Sequence, residues 1–438
     1  MSVPSGALRA RFAWLTVALV LIAAIAGCTL KSGGYNTTSP PKIRFFNAGI
    51  DIGAIDVTIG TVQTAGFMNY ETFAVYRTTQ TGVQPIIVNQ TGATTPLLES
   101  SQDFENGAKF SYIVFGRAAA PAAVLASDNV DLPGGGHYKL RFINTATEMG
   151  PLDLYVTPFN TDLATVAPTI GGIALGAVSD FVELDAGAAQ VRITPQGSKT
   201  VLYDSGQVTF SERNAYSFVA YSRGAPGLVN AGVFTMDTLG SGALQNSALG
   251  QLRLMNATPA TPSVDLAIEG TTAIANVAYG TASPYQLIGN PGTHTITLLP
   301  SGTSTPLLTG SATFPPGGPA TQVVIGTAGA QQSFTLQDIN FLPITPTNAR
   351  IRVVNATSGG ATFNTLVNGT LTVATLANAA TSLYFELPAA SYVFDFVDPT
   401  TSANLLSLPN AAVAAGHTYT IFVIGPPGQV TALVTQDR

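Results

Sequence analysis

Four short segments carry the same polar residues at the same spacing. Arg, two apolar residues and Asn occur as Arg44 to Asn47, Arg141 to Asn144, Arg253 to Asn256 and Arg352 to Asn355. Nine residues after each Asn stands Asp56, Asp153, Asp265 or, in the fourth segment, Asn364. Such residues could form ion pairs, accept backbone N–H bonds, or gather Ca²⁺ between copies. Ca²⁺ needs six to eight oxygens, and no dense DxDxD-type run supplies them. Asn364 keeps the accepting oxygen without the charge, so hydrogen bonding is the expected role rather than an obligatory ion pair. Asn bonds nearby backbone and tolerates left-handed geometry, which suits it to fix the loop after its strand. The motif therefore reads as structural.

Other chemistry is sparse. His137, His294 and His417 fall in different copies and at different places, so a shared metal or triad site would need an unusual fold-back. No HExxH, GxSxG or P-loop pattern occurs. The Gly-rich run from Pro133 to His137 is a linker, since no helix follows it to cradle a phosphate. We expect no enzyme, no metal and no cofactor. With 10% charged residues and a formal net charge of −6, the chain is a poor match for nucleic acid, whose binding needs many cations.

The elements that place these residues are strands. The 438 residues suggest several domains. Val, Ile, Thr, Phe and Tyr recur in short runs, which favours pleated, half-buried surfaces. Each copy ends in an apolar run closed by Gly (YIVFG, YSFVAYSRG, TQVVIG, YTIFVIG), then a last run reaching Asp128, Asp237, Asp338 or Asp437. The separations from motif Asn to that Asp are 81, 93, 82 and 82 residues. Copy two therefore carries about 11 extra residues, placed in the loop from Pro158 to Gly172. Strand-like runs at this spacing predict an all-β chain of four tandem immunoglobulin-like β-sandwich repeats, each with about seven strands. The expected boundaries are 42–132, 138–240, 249–342 and 348–438. In the first strand, alternation puts Arg and the second apolar residue on one face, with the first apolar residue and Asn on the other.

The N-terminus reads as an export signal. Arg9 and Arg11 precede an apolar stretch from Ala13 to Ala26, long enough for a signal and short for a membrane span. It ends Ile25-Ala26-Gly27-Cys28, which resembles the bacterial lipobox. That resemblance implies cleavage between Gly27 and Cys28 and lipidation of Cys28, with residues 1–27 removed and 28–41 serving as a flexible tether. Thr29 follows the cysteine rather than Asp. By resemblance to Gram-negative sorting rules this favours the outer membrane, on its periplasmic or surface side.

The segment from Arg253 to Gly270, RLMNATPATPSVDLAIEG, resembles the bacterial domain of unknown function 4397 family, and the other copies match more loosely. The resemblance spans nearly the whole chain after the tether and implies fold and envelope location. It brings no catalytic residue. The expected function is an envelope-anchored lipoprotein of structural or adhesive type. An extracytoplasmic glycan- or peptide-binding module is the alternative, with Phe159, Asp162 and Thr165 of the enlarged loop as its candidate surface. A secreted hydrolase is the remote third reading. The expected partners are the membrane, through the lipid, and an envelope glycan or protein.

Overall fold

The computed structural model describes residues 38–223, 227–338, 341–345 and 347–438. The expected signal peptide, Gly27, Cys28 and most of the tether lie outside these residues.

The described chain is all-β, in sandwich repeats. Copy one contains β1 (Lys42–Asn47), β2 (Ile55–Ile59), β3 (Val62–Met68), β4 (Thr72–Thr78), β5 (Gly82–Gln90), β6 (Pro96–Phe104), β7 (Lys109–Arg117) and β8 (Ala120–Ser127). They form two four-stranded sheets, ordered β4-β1-β7-β8 and β3-β2-β5-β6. Copy four repeats the eight strands, one more than the seven of the sequence reading. The strand that spacing alone does not separate is β3, which follows β2 after only the two residues Gly60 and Thr61.

At the middle of the first sheet, β1 and β7 run parallel, Lys42 to Asn47 beside Lys109 to Val114. The same parallel pair occurs at 138–145 with 214–221, at 251–256 with 319–324, and at 350–357 with 418–425. Strands covered on both faces read as near-continuous apolar runs, which is why YIVFG and its counterparts lack alternation.

Alternation in the first strand sends its residues to two different cores. Phe45, Phe142, Leu254 and Val353 point into the core of their own sandwich. Phe46 and Ile143, from copies one and two, meet in a second core with Ile113, Phe115, Val219 and Phe234. Met255 and Val354, from copies three and four, meet in another with Val323, Ile325, Phe422 and Ile424. The copies thus associate in pairs, one with two and three with four, and each pair shares an apolar core. The short linkers are compatible with a stiff rod or a compact arrangement; the side chains pair the sandwiches face to face.

Candidate functional site

The four arginines lie in these paired interfaces, each at most 3% exposed. A buried guanidinium is costly unless its charge and donors are matched. The matching set is the same from copy to copy. Each Nε donates to a hydroxyl on the parallel strand: Arg44 to Ser111 at 2.8 Å, Arg141 to Ser217 at 2.6 Å, Arg253 to Thr321 at 2.7 Å and Arg352 to Thr420 at 2.8 Å. An aromatic ring of the same copy covers each guanidinium: Tyr76, Phe181, Tyr285 and Tyr384, at 4.6–5.1 Å.

The carboxylates arrive from the neighbouring copy. Arg253 lies 2.7 Å from Asp437 of copy four, and Arg352 pairs with Asp338 of copy three. Thr321 donates to Asp338 at 2.6 Å, and Tyr285 donates to it at 2.7 Å. Burial alone would raise the Asp338 pKa, but the Arg352 and Arg253 guanidiniums hold it below the usual carboxylate value. Burial works against charge on Arg253 as well, yet Asp437 leaves its pKa raised.

The first pair breaks this symmetry. Arg141 reaches Asp128 of copy one at 2.5 Å, and Arg44 lies 3.1 Å from that same carboxylate. Asp237, the equivalent residue of copy two, instead accepts backbone N–H bonds from Leu239 at 3.0 Å and Ser241 at 3.1 Å. Copy two also has Phe181 in place of a tyrosine, so it lacks the hydroxyl that Tyr76 and Tyr285 donate to their aspartates. Arg44 therefore finds the Thr235 carbonyl of copy two at 2.8 Å, with its guanidinium 4.3 Å over Phe234. Burial lowers the Arg141 pKa; Asp128 opposes this, and nearby Arg44 adds to it.

The motif Asn and Asp act at the opposite sheet. β2 and its counterparts break register with the next strand at Ile55/Val57, Leu152/Leu154, Val264/Leu266 and Phe363/Thr365. Asp56, Asp153, Asp265 and Asn364 occupy these bulges. Each accepts, at 2.7 Å, the N–H of Phe67, Gly172, Asn276 or Thr375. All four donor residues have positive φ, between 49° and 67°, the left-handed geometry of a bulge. Asn47 donates its amide to the carbonyl of the following residue, Met68, at 2.9 Å, and to Gly53 at 2.9 Å, while its oxygen accepts from Gly49. Asn144, Asn256 and Asn355 repeat this arrangement with Ile173, Val277 and Leu376. Asn and Asp together pin the bulge to the end of the first strand, joining the two sheets.

The enlarged loop of copy two is the distinctive surface. Residues 158–169 replace the two-residue turn of copies one, three and four. Asp162 caps a short 3₁₀ helix, Leu163–Thr165, by accepting from Ala164. Leu163 is buried, and Arg192 donates to Thr157 at 2.9 Å and to Thr161 O at 2.6 Å. Gln190 accepts from Asn160 at 2.9 Å, and Lys199 donates to Val166 O at 2.5 Å and to the Tyr155 hydroxyl at 3.0 Å. The loop is thus fixed to its sheet at both limbs. Phe159 and Thr165 face solvent, with Phe159 50% exposed. An open depression lies against the returning limb, lined by Asp153, Tyr155, Pro168, Gln196 and Lys199 among others. Phe159, Asp162 and Thr165 do not line it. The sequence reading thus located the loop but missed Gln196 and Lys199, which come from the turn after the strand Gly187–Pro195 and carry no local signal.

Among the described residues, no three of His, Cys, Asp and Glu lie together as a metal would require. His137 lies 3.1 Å from Asp185 and His294 lies 3.4 Å from Glu269, in separate copies.

The family model described as Domain of unknown function (DUF4397) matches residues 41–155, 250–361 and 349–438, more than half of the chain. The chain belongs to this family. The first two DUF4397 matches run past one sandwich through the first strand of its partner, so each crosses a paired interface. No curated protein matches the chain. Among solved structures, family 41 carbohydrate-binding modules from streptococcal virulence factors align at 10% identity, over 41% of this chain and 92% of theirs, with a TM-score of 0.15. A family 26 carbohydrate-binding module from Eubacterium rectale, in complex with maltoheptaose, aligns at 13% identity, over 42% and 91%, with a TM-score of 0.16. The Bacillus anthracis TIE protein aligns at 9% identity, over 86% and 68%, with a TM-score of 0.16. Likeness at these scores carries no functional argument.

Proposed function

We propose that this DUF4397 chain is an envelope-anchored, extracytoplasmic glycan-binding protein whose paired sandwiches hold the ligand surface rigidly. The observation that carries the reading is the loop 158–169 of copy two, fastened by Arg192, Gln190 and Lys199 beside an open depression. A prefixed loop loses little conformational entropy on binding. Gln196 and the ammonium of Lys199 offer hydrogen-bonding groups, and Phe159 offers an exposed ring at the loop's other limb. That mixture suits a hydroxylated ring compound better than an apolar one. The chain acts by binding, without catalysis. Deleting residues 159–169 and closing the hairpin with the Glu269-Gly270 turn of copy three tests the site on a glycan array. A markedly weaker glycan signal from the deleted chain is expected; unchanged signals would overturn it.

The anchor is part of the proposal. The lipobox residues Gly27 and Cys28, with the Gly/Ser-bearing tether after them, support lipidation. Metabolic labelling with an alkyne fatty acid should mark the native chain and leave Cys28→Ala unlabelled. Equal labelling of both would contradict the anchor.

A structural or adhesive spacer is the second reading, favoured by the buried clamps that make each pair one body. It predicts no small-molecule binding, so the same array separates the two.

A further inference from the structure

The left-handed residue of the bulge differs among the copies: Gly172, Asn276, Thr375 and, in copy one, Phe67. Glycine and asparagine take positive φ readily, whereas a bulky side chain is an outlier there. Phe67 has a φ of 52° and is 67% exposed, so burial does not compensate its backbone. Phe67 and Phe159 are the two exposed aromatic rings among the described residues, and both belong to the hairpin that follows the motif Asp. The bulge that Asp56 and Asn47 pin imposes this geometry in every copy, and Thr375 bears it in copy four, so what sets Phe67 apart is its exposed ring.

The surroundings of Phe67 indicate what would sit on it. The Gln63 amide lies against Gly66, and Asp56, bonded to the Phe67 N–H, also accepts from Thr91 at 3.0 Å. Asn89 stands opposite Asp56 on β5 and spends its amide N–H on Ala93 O at 3.0 Å. The carboxylate is thereby engaged, and Gln63, Asn89 and Thr91 are amides and a hydroxyl. An exposed ring on a hairpin whose other polar side chains are uncharged matches a neutral sugar, whose C–H face stacks and whose hydroxyls lie at the edge. A charged ligand would meet no free opposite charge among these residues.

We propose that Phe67 is the stacking platform of a second carbohydrate contact, in copy one, for a pyranose ring of a neutral oligosaccharide. It shares its ligand class with the copy-two reading but none of its residues. The test is saturation-transfer NMR on the detergent-solubilised full chain with maltoheptaose, cellohexaose and chitohexaose, in native form, with loop 159–169 deleted, and with Phe67→Asn added to that deletion. Asn occupies the same position in copy three, so Phe67→Asn should leave the melting temperature unchanged or raise it. The expected result is transfer that survives loop deletion and falls about tenfold or more on adding Phe67→Asn. Transfer that survives both changes overturns the Phe67 proposal. Transfer abolished by loop deletion alone overturns it while leaving the copy-two site standing. Absence of transfer in the native chain overturns both.

Discussion

Arg253, in the first strand of copy three, ends 2.7 Å from the carboxylate of Asp437, at the end of copy four. The two side chains are almost wholly buried, and the contact closes a path of nearly the full length of both sandwiches. It converts two small domains, each with a modest core, into one larger body.

Removing one partner of this pair should cost far more than replacing both. Asp437→Ala leaves Arg253 charged and buried, a loss of about 3–5 kcal/mol. The double replacement Arg253→Met, Asp437→Leu should recover most of it, because an apolar pair satisfies the same space. Urea denaturation of the native chain, Arg253→Met, Asp437→Leu and the double replacement measures the coupling. Additive losses would show that the pair is not an energetic unit.

The first pair should depend on one carboxylate. Asp128→Ala strands both Arg44 and Arg141, whereas Asp237→Ala removes only the turn that Asp237 caps. Thermal unfolding should show a loss for Asp128→Ala larger than that for Asp437→Ala. For Asp237→Ala the loss should be about 0.5–1.5 kcal/mol. Equal effects at positions 128 and 237 would contradict the asymmetry.

The bulge needs an oxygen, not a charge. Asn364 makes the same 2.7 Å bond as Asp56 and Asp265. Asp265→Asn should therefore change stability by less than about 1 kcal/mol, and Asp265→Ala should cost about 1–3 kcal/mol by leaving the Asn276 N–H unmatched. Denaturant midpoints for the two variants decide this, and similar losses in both would mean that charge matters after all.

Acid should loosen the second pair. The Asp338 pKa in the folded protein lies below its ordinary 3.8 because Arg352 and Arg253 face it, despite burial. A depressed folded value means that the stabilisation is fully present above the unfolded pKa. It is lost as pH falls through the folded one. The stability gap between the native chain and Asp338→Asn should accordingly be constant near neutrality and shrink below about pH 4. Equilibrium denaturation from pH 7 to pH 2 follows it; a gap independent of pH would contradict the assignment.

The sequence announces each sandwich more clearly than it announces their pairing. Arg, Asn and Asp at fixed offsets mark the copies, and alternation correctly puts Arg and the second apolar residue on a common face. What that face meets is a long-range matter. Phe46 touches Phe234 and Arg253 meets Asp437 across large sequence separations, and no local period encodes those distances. The closing aspartates were visible as boundary marks, yet their chemistry appears only when the neighbouring copy arrives. In the same way the loop of copy two is legible from the 93-residue spacing, whereas Lys199 and Gln196 reach the depression from a different hairpin.

Retention of fluorescent oligosaccharide by isolated envelope membranes tests the central claim most directly. Membranes carrying the native chain should retain a glycan that the array selects. Membranes from cells making Cys28→Ala should lose it with the released protein, and those carrying the loop-deleted chain should retain it weakly through copy one. Equal retention by all three, matching membranes without the protein, would contradict an anchored glycan-binding role.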